Sequence, residues 1–140
     1  MQRSIVTIAM IAFGCAATFA HHSMAGTYIL DQRITISGAV IEVGLRNPHS
    51  YVLVEVRVNK TDASAERWGA EWEASFDELD KAGITRTTLK AGDVVQILGA
   101  PGKISADHRL LIHTISRPVD GGTSTGPWRE LWIANTWTHP

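Results

Sequence analysis

At 140 residues, with 44% hydrophobic and 19% charged side chains, the chain has room for about one domain of ordinary globular make-up, which excludes a wholly disordered or collagen-like polypeptide. The 13 Lys and Arg balance 14 Asp and Glu to a formal net charge of −1, scattered along the chain, so no basic footprint for nucleic acid or an anionic membrane surface is expected. The single cysteine excludes a disulfide framework and any Cys-rich zinc site.

Residues 1–20 read as a secretory signal peptide. Met1-Gln2-Arg3 is a short positive start, Ser4 to Gly14 is almost wholly apolar, and small residues follow up to Ala20. The apolar run is too short to span a bilayer, which takes about 20 residues, and no later stretch approaches that length, so no stable membrane span is expected. Cleavage after Ala20 fits best and starts the mature protein at His21, in the periplasm or outside the cell. A lipoprotein route through Cys15 is the alternative, although Ala12-Phe13-Gly14-Cys15 matches a lipobox poorly.

The mature chain then reads as short strands. Residues 33–46 alternate with period two and are rich in β-branched side chains, with Gly38 and Gly44 as points of bending. Arg46-Asn47-Pro48-His49 is a turn. Residues 50–59 form a second strand, with Val52, Val54, Val56 and Val58 on one face as core and Tyr51, Leu53, Glu55 and Arg57 on the other. A third strand over 66–75 aligns Trp68, Ala70, Trp72 and Ala74 opposite Arg67, Glu71 and Glu73. Ser75-Phe76-Asp77-Glu78 is a capping box that opens a short helix over 76–82, ended by Gly83. Strands over 93–99 and 109–117 complete the set. This order predicts an all-β domain over 21–120, a five-stranded OB-like Greek-key barrel with one short helix between strands three and four; an incomplete sandwich is the alternative. The tail, 121–140, is rich in Gly and Trp, and Pro127 at a helix N1 position with Trp128, Leu131 and Trp132 on one side predicts an amphipathic segment laid on the barrel.

The mature start His21-His22-Ser23, the strand Ile36-Ser37-Gly38-Ala39-Val40, the motif Asn47-Pro48-His49, the Trp72-Glu73 pair and the turn Leu89-Lys90-Ala91-Gly92-Asp93 resemble, in this order, the exported bacterial proteins of domain-of-unknown-function family 6152. The resemblance covers roughly residues 21–120 and implies an exported small β domain, with no activity attached.

The sharpest chemical signal is the mature N-terminus. An N-terminal His offers its α-amino nitrogen and ring Nδ1 as a chelating pair, and one more imidazole completes a three-nitrogen brace suited to Cu(II). His21 would chelate, with His22 or His49 as the third donor. The plainer reading makes His21 the start of a flexible arm and Asn47-Pro48-His49 ordinary turn chemistry. His113 alternates with Leu111 and Ile115 in a strand, His108 sits in a polar turn, and His139 lies near the end of the chain; all three are weaker candidates.

Trp68 and Trp72 are expected by default to pack as core or lid on one face of the barrel; exposed, they would with Tyr51 form a ligand-binding surface for a saccharide or partner protein. The acidic run Glu71, Glu73, Asp77, Glu78 and Asp80 reads as solvated surface rather than a glycosidase pair, and no Ser-His-Asp, P-loop or dinucleotide pattern exists. The sequence thus favours an exported binding protein, with copper as its candidate cofactor, over an enzyme.

Overall fold

The computed structural model describes residues 24–57, 64–119 and 127–134. In chain order they form α1 (Met24–Thr27), β1 (Ile34–Gly44), β2 (Tyr51–Arg57), β3 (Ala65–Glu71), α2 (Phe76–Lys81), β4 (Val94–Pro101), a 3₁₀ turn (Ser105–Asp107), β5 (Arg109–Pro118) and β6 (Trp128–Ile133). The expected signal segment, with Cys15, lies outside the described residues, as do His21, His22 and His139. No helix among the described residues is long and apolar enough to cross a membrane.

Five strands close into a barrel. β1 pairs antiparallel with β4 through its first half and with β2 through its second, and Ala39 is shared between the two ladders. β2 pairs with β3, β4 with β5, and a parallel β3–β5 pairing from Gly69↔Arg109 to Glu71↔Leu111 closes the ring. This is the expected five-stranded barrel of the OB type, with α2 between β3 and β4. Gly38 makes the sharp first strand feasible, because a Cβ there would fall 2.1 Å from the Glu55 carbonyl oxygen. A bulge follows between Val40 and Glu42.

The period-two pattern of β2 sorts as the sequence predicts: Val52 and Val54 are fully buried, Val56 is half-buried and Arg57 is exposed. They meet Ile36, Val40, Val95, Ile97, Leu110, Ile112 and Ile115 inside the barrel. α2 contributes Leu79 to the same core and its connector contributes Ile84 and Leu89. The capping box is present, with Ser75 Oγ accepting from the Glu78 amide and Glu78 Oε2 accepting from the Ser75 amide at 2.8 Å.

Two expectations need correction. β3 ends at Glu71, so Trp72 belongs to no strand face; the chain turns there and the indole is fully buried in the core. The tail is not helical where it is described: Trp128–Ile133 is a strand paired antiparallel with β5. The cause is an open edge. β3 covers β5 only over Arg109–Leu111, which leaves backbone groups farther along β5 in need of partners, and β6 supplies them over Thr114–Pro118. Leu131 and Trp132 also pack against the barrel core.

Candidate functional site

The described chain begins with an arm that lies on the outside of the barrel. α1 is closed by the Tyr28 amide donating to the Met24 carbonyl at 2.8 Å. The arm is then tied to the β4–β5 connection. Lys103 N donates to Thr27 O at 2.9 Å, Ile29 N donates to Pro101 O at 2.9 Å, and Tyr28 bridges Gly102. Tyr28, Ala100 and Leu111 form a second apolar cluster, against which Met24 and Leu30 pack. This explains why Leu110, Leu111 and Ile112 are all buried in succession on β5: alternate residues face the barrel interior and the arm.

From this anchor the Tyr28 ring reaches β3 and β5. The Arg109 guanidinium carbon lies 5.7 Å from the ring centroid, and Arg109 Nη2 pairs with Glu71 Oε1. Burial, reinforced by the Glu71 charge, pushes the Tyr28 phenol up to about 12. Glu71 is in turn the cross-strand partner of Tyr51 at the start of β2. Tyr51 donates to Glu42 and lies under the Arg46 guanidinium, 4.9 Å from the ring centroid. The hydrogen bond to Glu42 is the main cause of a phenol pKa above its ordinary value.

His49 stands two residues before Tyr51, exposed, in a loop held from both sides. Ser50 is fully buried; its Oγ accepts from Arg46 N and donates to Arg46 O, each at 3.1 Å, and its carbonyl accepts from Trp72 N at 3.0 Å. Asn47 Oδ1 accepts from Phe76 N at 2.9 Å, and the Asn47–Pro48 bond is cis. An exposed imidazole on a braced loop suits a ligand role, because little backbone order has to be gained on binding.

The other candidates separate. Trp72 is fully buried, as the core-packing expectation has it, and cannot present a ring to a ligand, which corrects its alternative assignment to a binding surface. Trp68 is half-buried and already stacked on His108, ring centroids 5.1 Å apart at 23°. Its Nε1 donates to Glu66 Oε2 at 3.1 Å, the same oxygen that lies 3.7 Å from His108 Nε2. His113 is half-buried within β5. Among the described residues no three His, Cys, Asp or Glu side chains are grouped to hold a metal ion, so any such site draws on residues outside them. Glu73, Asp77, Glu78 and Asp80 are exposed, as the solvated-surface reading expects, whereas Glu71 is half-buried and paired with Arg109.

Sequence reasoning missed Tyr28 and Arg109. The Arg109–Glu71 contact joins residues 38 apart, and no local pattern signals it. The sequence also left His108 in a solvated turn, since its stacking partner lies on another strand.

No curated protein matches the chain. Among solved structures it is similar to the mitochondrial single-stranded DNA binding protein Rim1 of S. cerevisiae. One crystal structure shares 9% identity over 60% of this chain and 90% of that one, with a TM-score of 0.45. A selenomethionine-labelled crystal shares 11% over 66% and 97%, with a TM-score of 0.48. The model of a family of unknown function, DUF6152, matches residues 9–110, and the chain belongs to that family.

Proposed function

We propose that this protein is an exported copper-binding module. Its Cu(II) site is a brace of the His21 amino nitrogen, the His21 ring and a second imidazole, with His49 preferred to His22. The observation that carries the reading is the anchoring of the arm. Tyr28 lies against Arg109, Arg109 pairs with Glu71, and Glu71 faces Tyr51 across the β2–β3 ladder, two residues from His49; this run of neighbours supports an arm that leads toward the His49 loop. Only two residues intervene between His21 and Met24, and a three-residue step extends by about 10 Å. The amine and Nδ1 of one residue are pre-linked, so a single further ligand has to be ordered.

The reading is tested by titrating Cu(II) into three forms of the processed protein: unmodified, carrying one extra residue before His21, and His49→Ala. The extra residue is expected to weaken binding at least tenfold, and His49→Ala to change the copper spectrum. Equal titrations and spectra in all three contradict the proposal. His22→Ala distinguishes the two choices of third ligand.

A second reading, a non-catalytic binding face for a saccharide or partner protein, is favoured by the outer surface of β2 and β3. Tyr51 and Leu53 lie there, opposite Glu71 and Gly69. A Cβ on Gly69 would meet only Leu53, at 3.8 Å, so side-chain packing does not require a glycine here; a strand glycine of this kind marks a bend at a barrel closure or a place open to close approach by a ligand. Loss of polysaccharide or partner retention on Gly69→Val, with the fold intact, would support this face. Retention by the variant would remove it.

A further inference from the structure

Arg117 of β5 and Arg129 of β6 are directly opposite each other in the antiparallel ladder, an arrangement that destabilises a sheet when the charges are alike. Both line a cavity of about 390 Å³, together with Lys90, Asp93, Val94 and Val119, and both also border a second hollow that Glu130 lines. The one carboxylate of that set is already engaged, because Lys90 Nζ lies 2.6 Å from Asp93 Oδ1. Among the described residues neither arginine has a carboxylate within ion-pair distance; Arg117 donates to the Thr88 carbonyl at 3.5 Å, and its charge acts on Asp93 from farther off. Three cations and one anion therefore border a cavity whose floor is a like-charge pair.

We propose that this cavity is an anion site that takes a phosphate group, gripped by the Arg117 and Arg129 guanidinium forks. Guanidinium forks match the oxygen geometry of phosphate and bind it in bidentate fashion. The volume falls in the range of small-molecule pockets, about 300–1,000 Å³, and so leaves room beyond a bare ion. Val94 and the exposed Val119 offer an apolar wall to the carbon portion of a phosphate ester. The site is built from the α2–β4 connector and the β5–β6 ladder and shares no residue with the His49 loop, so it stands or falls independently of the copper proposal.

The test is thermal unfolding and calorimetric titration of the processed protein with inorganic phosphate and with phenyl phosphate, against chloride at equal ionic strength. Phosphate is expected to raise the melting temperature beyond chloride, with phenyl phosphate binding at least as tightly. Arg129→Gln should abolish that rise, yet melt no lower than the unmodified protein in chloride, because the opposed charges are gone. Arg129→Lys, which keeps the charge and loses the fork, should bind phosphate at least tenfold more weakly. No rise beyond chloride, or the same rise in both variants, overturns the site. Retention on phosphatidylglycerol vesicles without binding of either soluble phosphate also overturns it, in favour of a lipid surface.

Discussion

The indole of Trp68 and the imidazole of His108 are stacked at 5.1 Å, and His108 holds this position in the left-handed backbone region, at φ 46° and ψ 54°. That conformation costs a residue with a Cβ about 1–2 kcal/mol, whereas an aromatic pair gains about 0.5–1.5 kcal/mol. The two effects are separable by substitution. His108→Ala loses the stack and keeps the strain; His108→Gly loses both. Urea unfolding should find the glycine variant more stable than the alanine variant by about 1 kcal/mol. An alanine variant as stable as the glycine variant would contradict the left-handed conformation.

Trp72 and Trp68 should respond very differently to truncation. Trp72→Ala removes a fully buried side chain and is expected to cost about 3–5 kcal/mol. Trp68→Ala removes a half-buried ring from the edge of the core and should cost clearly less. Comparable losses would mean that Trp68 is as much a core residue as Trp72.

The alkaline limb of stability should depend on Tyr28. Its folded pKa, raised to about 12 from the ordinary 10.0, means that the folded state keeps a proton that the unfolded chain releases. The associated stability is therefore complete below pH 10 and is lost as pH rises from about 10 to 12. The Glu71 charge that reinforces the shift sits on a side chain 24% exposed, so water screens part of its effect, and the loss should be on the order of 1–2 kcal/mol. Tyr28→Phe should flatten this limb and leave stability near pH 7 little changed, because the buried hydroxyl has no hydrogen-bond partner among the described residues. An unchanged alkaline slope in Tyr28→Phe would assign the limb to another group.

Gly69→Ala tests whether the outer face of β3 has room to spare. The added Cβ meets ordinary van der Waals contact at 3.8 Å, and replacing a glycine that packing does not require should stabilise the fold by about 0.4–1 kcal/mol. Destabilisation would show that the strand needs glycine for its own packing.

Much of the barrel was legible because its strands carry local signals. Val52 and Val54 alternate with outward polar side chains, and Ser75 with Glu78 marks the helix start to the residue. What was not legible depends on closure. Trp68 and Trp72 share a strand phase in the sequence, yet β3 ends between them, where the chain turns under the barrel and buries Trp72. Residues 128–132 carry a plausible helical spacing, but the unpaired stretch of β5 beyond β3 offered backbone partners that local propensity could not outweigh. The candidate site divides in the same way. His49 in its turn was readable, whereas the Tyr28–Arg109–Glu71 group beside the arm exists only once β3 and β5 are brought together.

The most direct test of the copper reading is electron paramagnetic resonance of the processed protein, beginning at His21, loaded with one equivalent of Cu(II). The brace predicts a tetragonal signal with nitrogen hyperfine splitting, altered by His49→Ala and lost to a weaker, different signal when one residue precedes His21. A spectrum unchanged by both alterations would place copper elsewhere, or nowhere specific, and the proposed function would fail.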